Sequence, residues 1–269
     1  SMKKTLLYST LFLLSSFFVQ DVSASVYGWT QKSSFGSHGR HRGIGMSIGN
    51  KGYMGLGHYN GAGPNIVMKD WWQFDPATNS WTQRADYIGN NGNGNYACMI
   101  FGMDNYGYVG GGAVGSDSNL YRYDPTTNTW TVMGPMPMLY VNREGFVLNN
   151  KGYAVSGTSL DEYDPATNLW TPKNTMPFTV WAWNSTFVVD GKGYVKSNAS
   201  LWEYKPLNDQ WVSRASFPGL ASGGGSGFAQ YDKGYFVCGY DGSLSLVQSE
   251  LWEFNPALNS WTQLPDFPG

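Results

Sequence analysis

The stretch FGSHGRHRG, residues 35–43, places two arginines and two histidines within one short polar segment. Arg40, His41 and Arg42 could hold an anion such as a carboxylate, because a guanidinium donates paired, charge-assisted hydrogen bonds to planar oxyanions. A loop of solvated charges is the alternative, since arginine is common in exposed loops. The segment predicts one or the other at this point of the chain.

A second charged group lies at Asn142-Arg143-Glu144. When one residue of turn length is allowed for, Arg143 aligns with Arg42, so two arginines from different parts of the chain could converge. Glu144 would supply a carboxyl group beside them, and a carboxyl group can accept and return protons during a reaction. If the chain is an enzyme, Arg42, Arg143 and Glu144 are its catalytic candidates.

Aromatic side chains form a third group of candidates. Trp181 and Trp183 stand in VWAWN, and an exposed indole could stack on a sugar ring or an apolar ligand, with core packing as the alternative use. Tyr59 in GHYNGAG and Tyr96 in NNGNGNY add aromatic surface, and nearby asparagines supply neutral hydrogen-bonding groups. This mixture favours a glycan as ligand over a nucleotide.

The three histidines, His38, His41 and His58, are not accompanied by the dense histidine, cysteine and carboxylate spacing of zinc or copper sites. We therefore predict no metal and no cofactor, and assign His41 and His58 to ligand binding. The serine in GGGSG, residues 223–227, lacks the strand-turn-helix context of a nucleophile elbow. Outside the alternative set above, the sequence predicts no catalytic residues.

A repeated element must position these residues. Six tryptophans recur along the chain, and an aromatic residue precedes the last five of them by seven positions: Trp29, Trp81, Trp130, Trp170, Trp211 and Trp261, with Phe74, Tyr123, Tyr163, Tyr204 and Phe254. Between the two aromatics, a pair ending in proline begins a turn. Asn79, Asn128, Asn168, Asn208 and Asn259 end the turn. This chemistry predicts an antiparallel hairpin in each unit.

A second hairpin lies upstream in every unit. It is marked by a Gly-Tyr pair after a polar turn, at Gly52-Tyr53, Gly107-Tyr108, Gly152-Tyr153, Gly193-Tyr194 and Gly234-Tyr235. Two hairpins make four strands per unit, and glycine and aromatic residues are abundant, with 35 glycines and 16% aromatic residues. The sequence predicts an all-β fold in which four-stranded units are the blades of a β-propeller.

The units resemble the Kelch repeat, which has a glycine-rich second strand, a tyrosine in the third strand and a tryptophan opening the fourth. The resemblance covers residues 26–269 and is clearest where the paired glycine is kept, at Gly110-Gly111. The segments WTQ, IGNKGY and FDPATNSW are similar to segments of Kelch-type domains in exported bacterial proteins. The resemblance implies a closed ring of blades, which in this family more often has six or seven members.

Trp29 opens a fourth-type strand that has no first three strands before it. We predict five four-stranded blades plus an extra N-terminal strand. The alternative is an incomplete six-bladed ring whose other strands lie beyond Gly269 or on another chain. Self-association through the leftover strand is a further possibility that the pattern leaves open.

Composition and the N-terminus bear on location and partners. Residues 1–24 read as a secretory signal peptide that includes a cloning residue, Ser1, and residues 25–269 as one domain. A net charge of -2 and a pI of 5.9 give no reason to expect nucleic acid or anionic lipid as partner, and no membrane insertion is predicted for the mature form. We expect a secreted, periplasmic or cell-surface protein in which Cys98 and Cys238 are buried free thiols.

The connections between second and third strands vary most in length, and the longest fall around residues 57–70, 110–119 and 239–250. Variable loops on a rigid scaffold commonly carry binding. We predict a non-catalytic propeller that binds a glycan or an extracellular protein through this face. The alternative, implied by the Kelch resemblance, is a periplasmic mutarotase or epimerase of the sialic acid type, in which arginine binds a carboxylate and a carboxylic acid moves protons.

Overall fold

Each unit of the repeat forms one antiparallel sheet of four strands in the computed structural model, which describes residues 28–60, 65–181, 183–221 and 223–269. Blade 1 consists of β1 (Ile44–Ile48), β2 (Lys51–Gly55), β5 (Trp71–Asp75) and β6 (Ser80–Arg84), with the hairpin β3 (His58–Tyr59) and β4 (Ile66–Val67) between its second and third strands. Blade 2 consists of β7 (Met99–Met103), β8 (Tyr106–Gly110), β9 (Asn119–Asp124) and β10 (Thr129–Pro135), preceded by a short 3-10 turn at Asn90–Gly92.

The remaining three blades repeat the same strand order. Blade 3 consists of β11 (Gly145–Leu148), β12 (Lys151–Ser156), β13 (Ser159–Asp164) and β14 (Leu169–Pro172). Blade 4 consists of β15 (Ser185–Val189), β16 (Lys192–Ser197), β17 (Ser200–Lys205) and β18 (Gln210–Arg214). Blade 5 consists of β19 (Ser226–Gln230), β20 (Lys233–Asp241), β21 (Leu246–Asn255) and β22 (Ser260–Leu264). The prediction of five four-stranded blades is confirmed.

The turn of each outer hairpin is built by its polar residues. In blade 2 the Asp124 carboxylate accepts the N–H of Thr126 at 2.8 Å, and Asn128 adopts a left-handed φ of 56° that closes the turn. In blade 4 the corresponding left-handed residue is Asp209, with φ 50°, and not the Asn208 expected from the sequence. The Tyr204 hydroxyl donates to the Asp209 carboxylate at 2.8 Å, so an aspartate fills the place of the turn asparagine.

The recurring tryptophan joins one blade to the next. Trp130 of blade 2 donates its indole N–H to the carbonyl of Ala85, which lies in the connection from blade 1, at 2.9 Å. The N–H of Ala85 in turn donates to the side-chain carbonyl of Asn128 at 2.8 Å. Trp261 repeats the indole bond with the carbonyl of Ala215 at 3.0 Å. The repeated turn and tryptophan therefore form one clamp on the preceding connection.

The innermost strands β1, β7, β11, β15 and β19 pack on one another in chain order. A side chain from each of the first four reaches the glycine that precedes the tyrosine in the second strand of the next blade. A Cβ on Gly193, for example, would lie 2.5 Å from the Phe146 ring. The glycine is needed at these positions because a side chain of the preceding blade occupies the space that its own side chain would fill.

The segment that contains Trp29 lies beside blade 5 and makes no ladder with it. The Trp29 indole donates to the carbonyl of Pro265 at 3.2 Å, and its ring meets Phe267 edge-on at 5.1 Å. Within the described ranges, β19 of blade 5 and β1 of blade 1 do not pack on each other. The five blades therefore leave an opening between the last and the first.

Both cysteines are free. Cys98 is buried, and burial raises the pKa of its thiol, whereas Cys238 is half-buried rather than buried as predicted. In the part of the chain that the structure describes, no helix is long and apolar enough to cross a membrane. The predicted signal peptide, residues 1–24, lies outside the described residues.

Candidate functional site

Five residues with left-handed backbone conformation form a belt just before the innermost strands. They are Arg42, Ala97, Asn142, Trp183 and Gly224, one from each blade, with φ between 51° and 74°. Each carbonyl accepts the N–H of the next residue in this order, at 2.9, 3.0, 2.8 and 3.1 Å. The belt therefore defines equivalent positions in the five blades, just before their innermost strands.

Arg42 is the charged member of this belt. Its guanidinium carbon lies 5.6 Å from the centre of the Tyr96 ring of blade 2 and 5.7 Å from that of Trp183 of blade 4. These distances are within the range in which a cation is attracted to a ring face. Arg42 is exposed, and none of the described carboxylates lies within ion-pair distance of it. An exposed guanidinium without a carboxylate partner thus stands between two aromatic rings from different blades.

An aromatic stack continues from Tyr96 away from Arg42. The His58 ring stacks on Tyr96 with centroids 4.2 Å apart, and His41 lies against His58 at 3.6 Å. The Nδ1 atom of His58 is 2.7 Å from the side-chain carbonyl of Asn65, which fixes the ring, while its buried Nε2 atom has no hydrogen-bond partner among the described residues. His41, His58, Tyr96, Arg42 and Trp183 therefore form one continuous surface, which we call the belt face.

Arg40 does not join this surface. Its side chain is 1% exposed and makes a bidentate ion pair with Asp70, at 2.5 and 2.9 Å. Burial acts to raise the pKa of Asp70, but hydrogen bonds from Arg40, Trp72 and Ser37, together with the Arg40 charge, outweigh it and lower that pKa. Arg40 thus anchors the segment that carries Arg42, and its guanidinium is already occupied by a carboxylate.

Arg143 lies one residue away from its predicted place. The belt makes Asn142, not Arg143, the equivalent of Arg42, because the connections into the two blades differ by one residue from the assumed length. The Nε and Nη1 atoms of Arg143 and the side-chain carbonyl of Asn142 are buried and have no partner within the described residues. Burial lowers the pKa of Arg143. Two adjacent polar side chains are therefore left unsatisfied.

Glu144 lies between blades 3 and 4. Its carboxyl accepts the N–H of Thr186 at 3.0 Å, and its own N–H donates to the side-chain carbonyl of Asn184 at 3.3 Å. Burial raises the pKa of Glu144 to about 8, only partly offset by the Thr186 hydrogen bond. No ion pair with Arg42 or Arg143 occurs in the described part of the molecule. Glu144 is thus a half-buried residue whose carboxyl group holds a proton near neutral pH.

Two further predicted residues lie apart from the belt face. Tyr59 is half-buried in β3 and meets the His38 ring at 5.4 Å. Trp181 is exposed, and its backbone N–H donates to the hydroxyl of Ser197 at 3.1 Å. Across the described ranges, no three histidine, cysteine or acidic side chains are grouped so that they could hold a metal ion.

The three long loops reach the same face as the belt. His58 of the first loop pairs with His41, Ala113 of the second donates to the Tyr96 carbonyl at 2.9 Å, and Tyr240 of the third donates to the Gly223 carbonyl at 2.8 Å. Each pairing falls one residue before a belt position. Within the described ranges β19 and β1 do not pack on each other, so closure of a five-membered ring does not bring the loops of units five and one together.

Sequence reasoning missed the polar partners of the site. Asn142 and Asn184 sit in and beside the belt, and Asp70 holds Arg40, yet no sequence motif predicts these contacts. The one available signal was positional, since Asn142 and Asn184 both come shortly before the first strand of their units.

Comparison with known proteins agrees with this architecture. The Kelch motif model matches residues 107–137, which span the last three strands of blade 2. The solved structure of YjhT superposes with a TM-score of 0.70 at 17% sequence identity, covering 85% of this chain and 84% of that chain. No curated protein sequence matches the chain. The repeat, the motif and the fold define a Kelch-repeat β-propeller.

Proposed function

We propose that this propeller is a binding protein whose belt face recognises a glycan that carries an acidic group. The observation that carries the proposal is the exposed guanidinium of Arg42 between the rings of Tyr96 and Trp183. A guanidinium without a carboxylate partner suits a ligand carboxylate. The flanking rings suit the apolar face of a sugar, and Trp183 is 46% exposed.

The aromatic surface is preorganised, which favours binding. His58 is held by Asn65 and by its stack on Tyr96, and the backbone of Arg42 is fixed by its bond from Ala97. Side chains that are already ordered lose less conformational entropy when a ligand arrives. The same reasoning applies to an acidic segment of an extracellular protein as partner. A secreted, periplasmic or cell-surface location is part of the proposal, since it provides access to such ligands.

A mutarotase or epimerase activity is the second candidate, and Glu144 favours it. A carboxyl group whose pKa lies at about 8 can donate and accept a proton near neutral pH. The absence of an ion pair with Arg42 or Arg143 among the described residues weighs toward binding instead. In the enzyme candidate, Glu144 moves the proton and Arg42 holds the substrate carboxylate.

Proton NMR of a panel of free sugars, including sialic acid, separates the two candidates. Line broadening with the protein, lost in an Arg42→Ala, Arg143→Ala double variant, supports binding. Accelerated exchange between anomers, lost in Glu144→Gln while broadening persists, supports the enzyme. If no sugar shows either effect, both glycan proposals are contradicted. An acidic protein segment is then tested as ligand by the same titration with a Glu-rich peptide.

A further inference from the structure

Between blade 5 and blade 1, the described residues leave unmade several contacts that join the other neighbouring blades. The belt is the first such contact. It contains four backbone hydrogen bonds. At its two ends, the N–H of Arg42 and the carbonyl of Gly224 have no hydrogen-bond partner among the described residues. One further belt residue, donating to Gly224 and accepting from Arg42, would continue the pattern.

The second contact is the pocket over the glycine of the second strand. A Cβ on Gly107, Gly152, Gly193 or Gly234 would collide with a side chain from the preceding blade, at 2.1 to 2.9 Å. A Cβ on Gly52 of blade 1 would meet only Phe74 of its own blade, at 3.6 Å. Blade 1 therefore keeps the receiving glycine, but no described side chain from a preceding blade occupies its pocket.

The third contact is the stacked aromatic pair that blades 3 and 4 offer to the next blade. Phe187 and Tyr194 stack at 5.0 Å and are covered by Phe254 of the following blade, at 6.2 and 5.6 Å. In blade 5, Phe228 and Tyr235 stack in the same way at 5.1 Å, yet Phe228 is 41% exposed. In blades 3 and 4, an aromatic side chain from the third strand of the next blade covers the residue equivalent to Phe228.

The fourth contact involves Trp29, whose bonds to Pro265 and Phe267 reproduce those of Trp261 to Ala215 and Phe217. Trp29 thus occupies the fourth-strand position of a sixth blade. In each complete blade this tryptophan lies 4.9 to 5.0 Å from an aromatic residue of the third strand. Trp29 is 43% exposed because the described residues include no such neighbour.

From these four contacts we infer that the cleft bounded by Trp29, Phe228, Gly52 and the two belt ends takes the first three strands of one more blade. The occupant is a polypeptide of this same repeat, with a large apolar residue in its first strand for Gly52 and an aromatic residue in its third strand for Phe228 and Trp29. Continuity with the four formed interfaces specifies it. Neither a small ligand nor the rim of a second copy offers this set of groups. The cleft shares Arg42 with the proposed glycan site, through its backbone N–H and not its guanidinium, and the inference does not rest on glycan binding.

A tethered blade fragment tests the inference. Ser185 lies fifteen positions after Trp170, and Ser226 lies fifteen positions after Trp211. A six-residue linker after Gly269 therefore gives an added copy of residues 145–164 the same spacing from Trp261. That copy contains a first-strand Phe146 and a third-strand Tyr163. We expect amide hydrogen exchange of β1 and β19 to slow by at least tenfold in the extended protein. Unchanged exchange in both strands would overturn the inference.

Two substitutions make the test specific. Gly52→Val meets no neighbouring blade among the described residues, so we expect it to leave the unextended protein unchanged but to fill the pocket and abolish the added protection. Gly193→Val, where Phe146 already occupies the pocket, destabilises the protein with or without the fragment. Protection that survives Gly52→Val contradicts the proposed docking. Protection of β1 and β19 that grows with the concentration of the unextended chain would identify a second copy as occupant and also contradict it.

Discussion

At the scale of single residues, the least expected group is Lys196, a lysine that is 2% exposed between blades 4 and 5. Its ammonium donates to the carbonyl of Ala221 at 2.9 Å and lies 4.4 and 4.1 Å from the ring centres of Phe217 and Phe236. No described carboxylate pairs with it. Two aromatic faces and one carbonyl offset only part of the cost of burying the charge.

Replacing this lysine should stabilise the protein. Burial lowers the pKa of Lys196 from 10.5 to about 8, so below pH 8 the folded protein carries a buried charge that destabilises it. We expect Lys196→Met to raise the free energy of unfolding by about 1 to 3 kcal/mol at pH 7.

The pH dependence checks the cause. The unfolded chain keeps the proton up to about pH 10.5, so the parent gains stability as pH rises from about 8 toward 10.5 while the variant does not. Urea unfolding at pH 7 and pH 9.5 should show the advantage of Lys196→Met shrinking. An advantage that is constant with pH would point to packing instead.

The contribution of Glu144 to folding stability should change with pH in the opposite direction. Its pKa is raised from 4.5 to about 8, so the folded state holds a proton that the unfolded state releases, and stability falls as pH rises from about 4.5 to 8. We expect Glu144→Gln to match the parent at pH 4.5 and to exceed its free energy of unfolding above pH 8, by an amount on the order of 1 kcal/mol per unit of pKa shift.

Glu162 is the matched control for that measurement. Burial acts to raise its pKa, but hydrogen bonds from Tyr153 and Lys151 and the charges of Lys173 and Lys151 lower it overall. Glu162 therefore contributes stability above its unfolded pKa, and that contribution is lost as pH falls through its lower folded value. Glu162→Gln should be less stable than the parent at pH 7. Equal pH profiles for the two glutamine variants would contradict both assignments.

At the scale of the element, the outer hairpin explains why the chain repeats one turn and one tryptophan. The turn asparagine closes the hairpin with a left-handed backbone, accepts a tyrosine hydroxyl and holds the preceding connection, while the tryptophan binds that connection again. The sequence predicted the hairpin from turn chemistry alone. It could not predict the clamp, because the partner is a backbone carbonyl of another blade and leaves no residue signature.

Asn128 tests this clamp. Its side-chain carbonyl accepts the Ala85 N–H at 2.8 Å and the Tyr123 hydroxyl at 2.9 Å. Asn128→Ala removes both bonds and places alanine at a positive φ, so we expect a loss of about 2 to 4 kcal/mol in the free energy of unfolding. Asn128→Asp keeps an acceptor at the position, as Asp209 does in blade 4, and should lose much less. Thermal or urea unfolding of the pair decides the matter, and similar losses for both would refute the acceptor role.

At the scale of the whole molecule, the regular period of the repeat made the blades predictable, because each unit buries its apolar face only against a copy of itself. The site was predictable in part. Arg42, His41, His58, Tyr96 and Trp183 were chosen for their residue types and do come together. The register of Arg143 was not predictable, because the connections into successive blades differ in length. The pairing of Arg40 with Asp70 joins residues thirty positions apart that no pattern relates.

We propose that Arg42 gives the belt face its affinity for an acidic glycan, and calorimetric titration with glucuronate and with glucose, its neutral parent, tests this role. We expect the protein to bind glucuronate at least tenfold more tightly than glucose. This preference should disappear in Arg42→Ala, persist in part in Arg42→Lys, and remain in Lys32→Ala, which changes the net charge equally but lies outside the belt. Equal affinity for the two sugars in the parent protein, or a preference that survives Arg42→Ala, would contradict the claim.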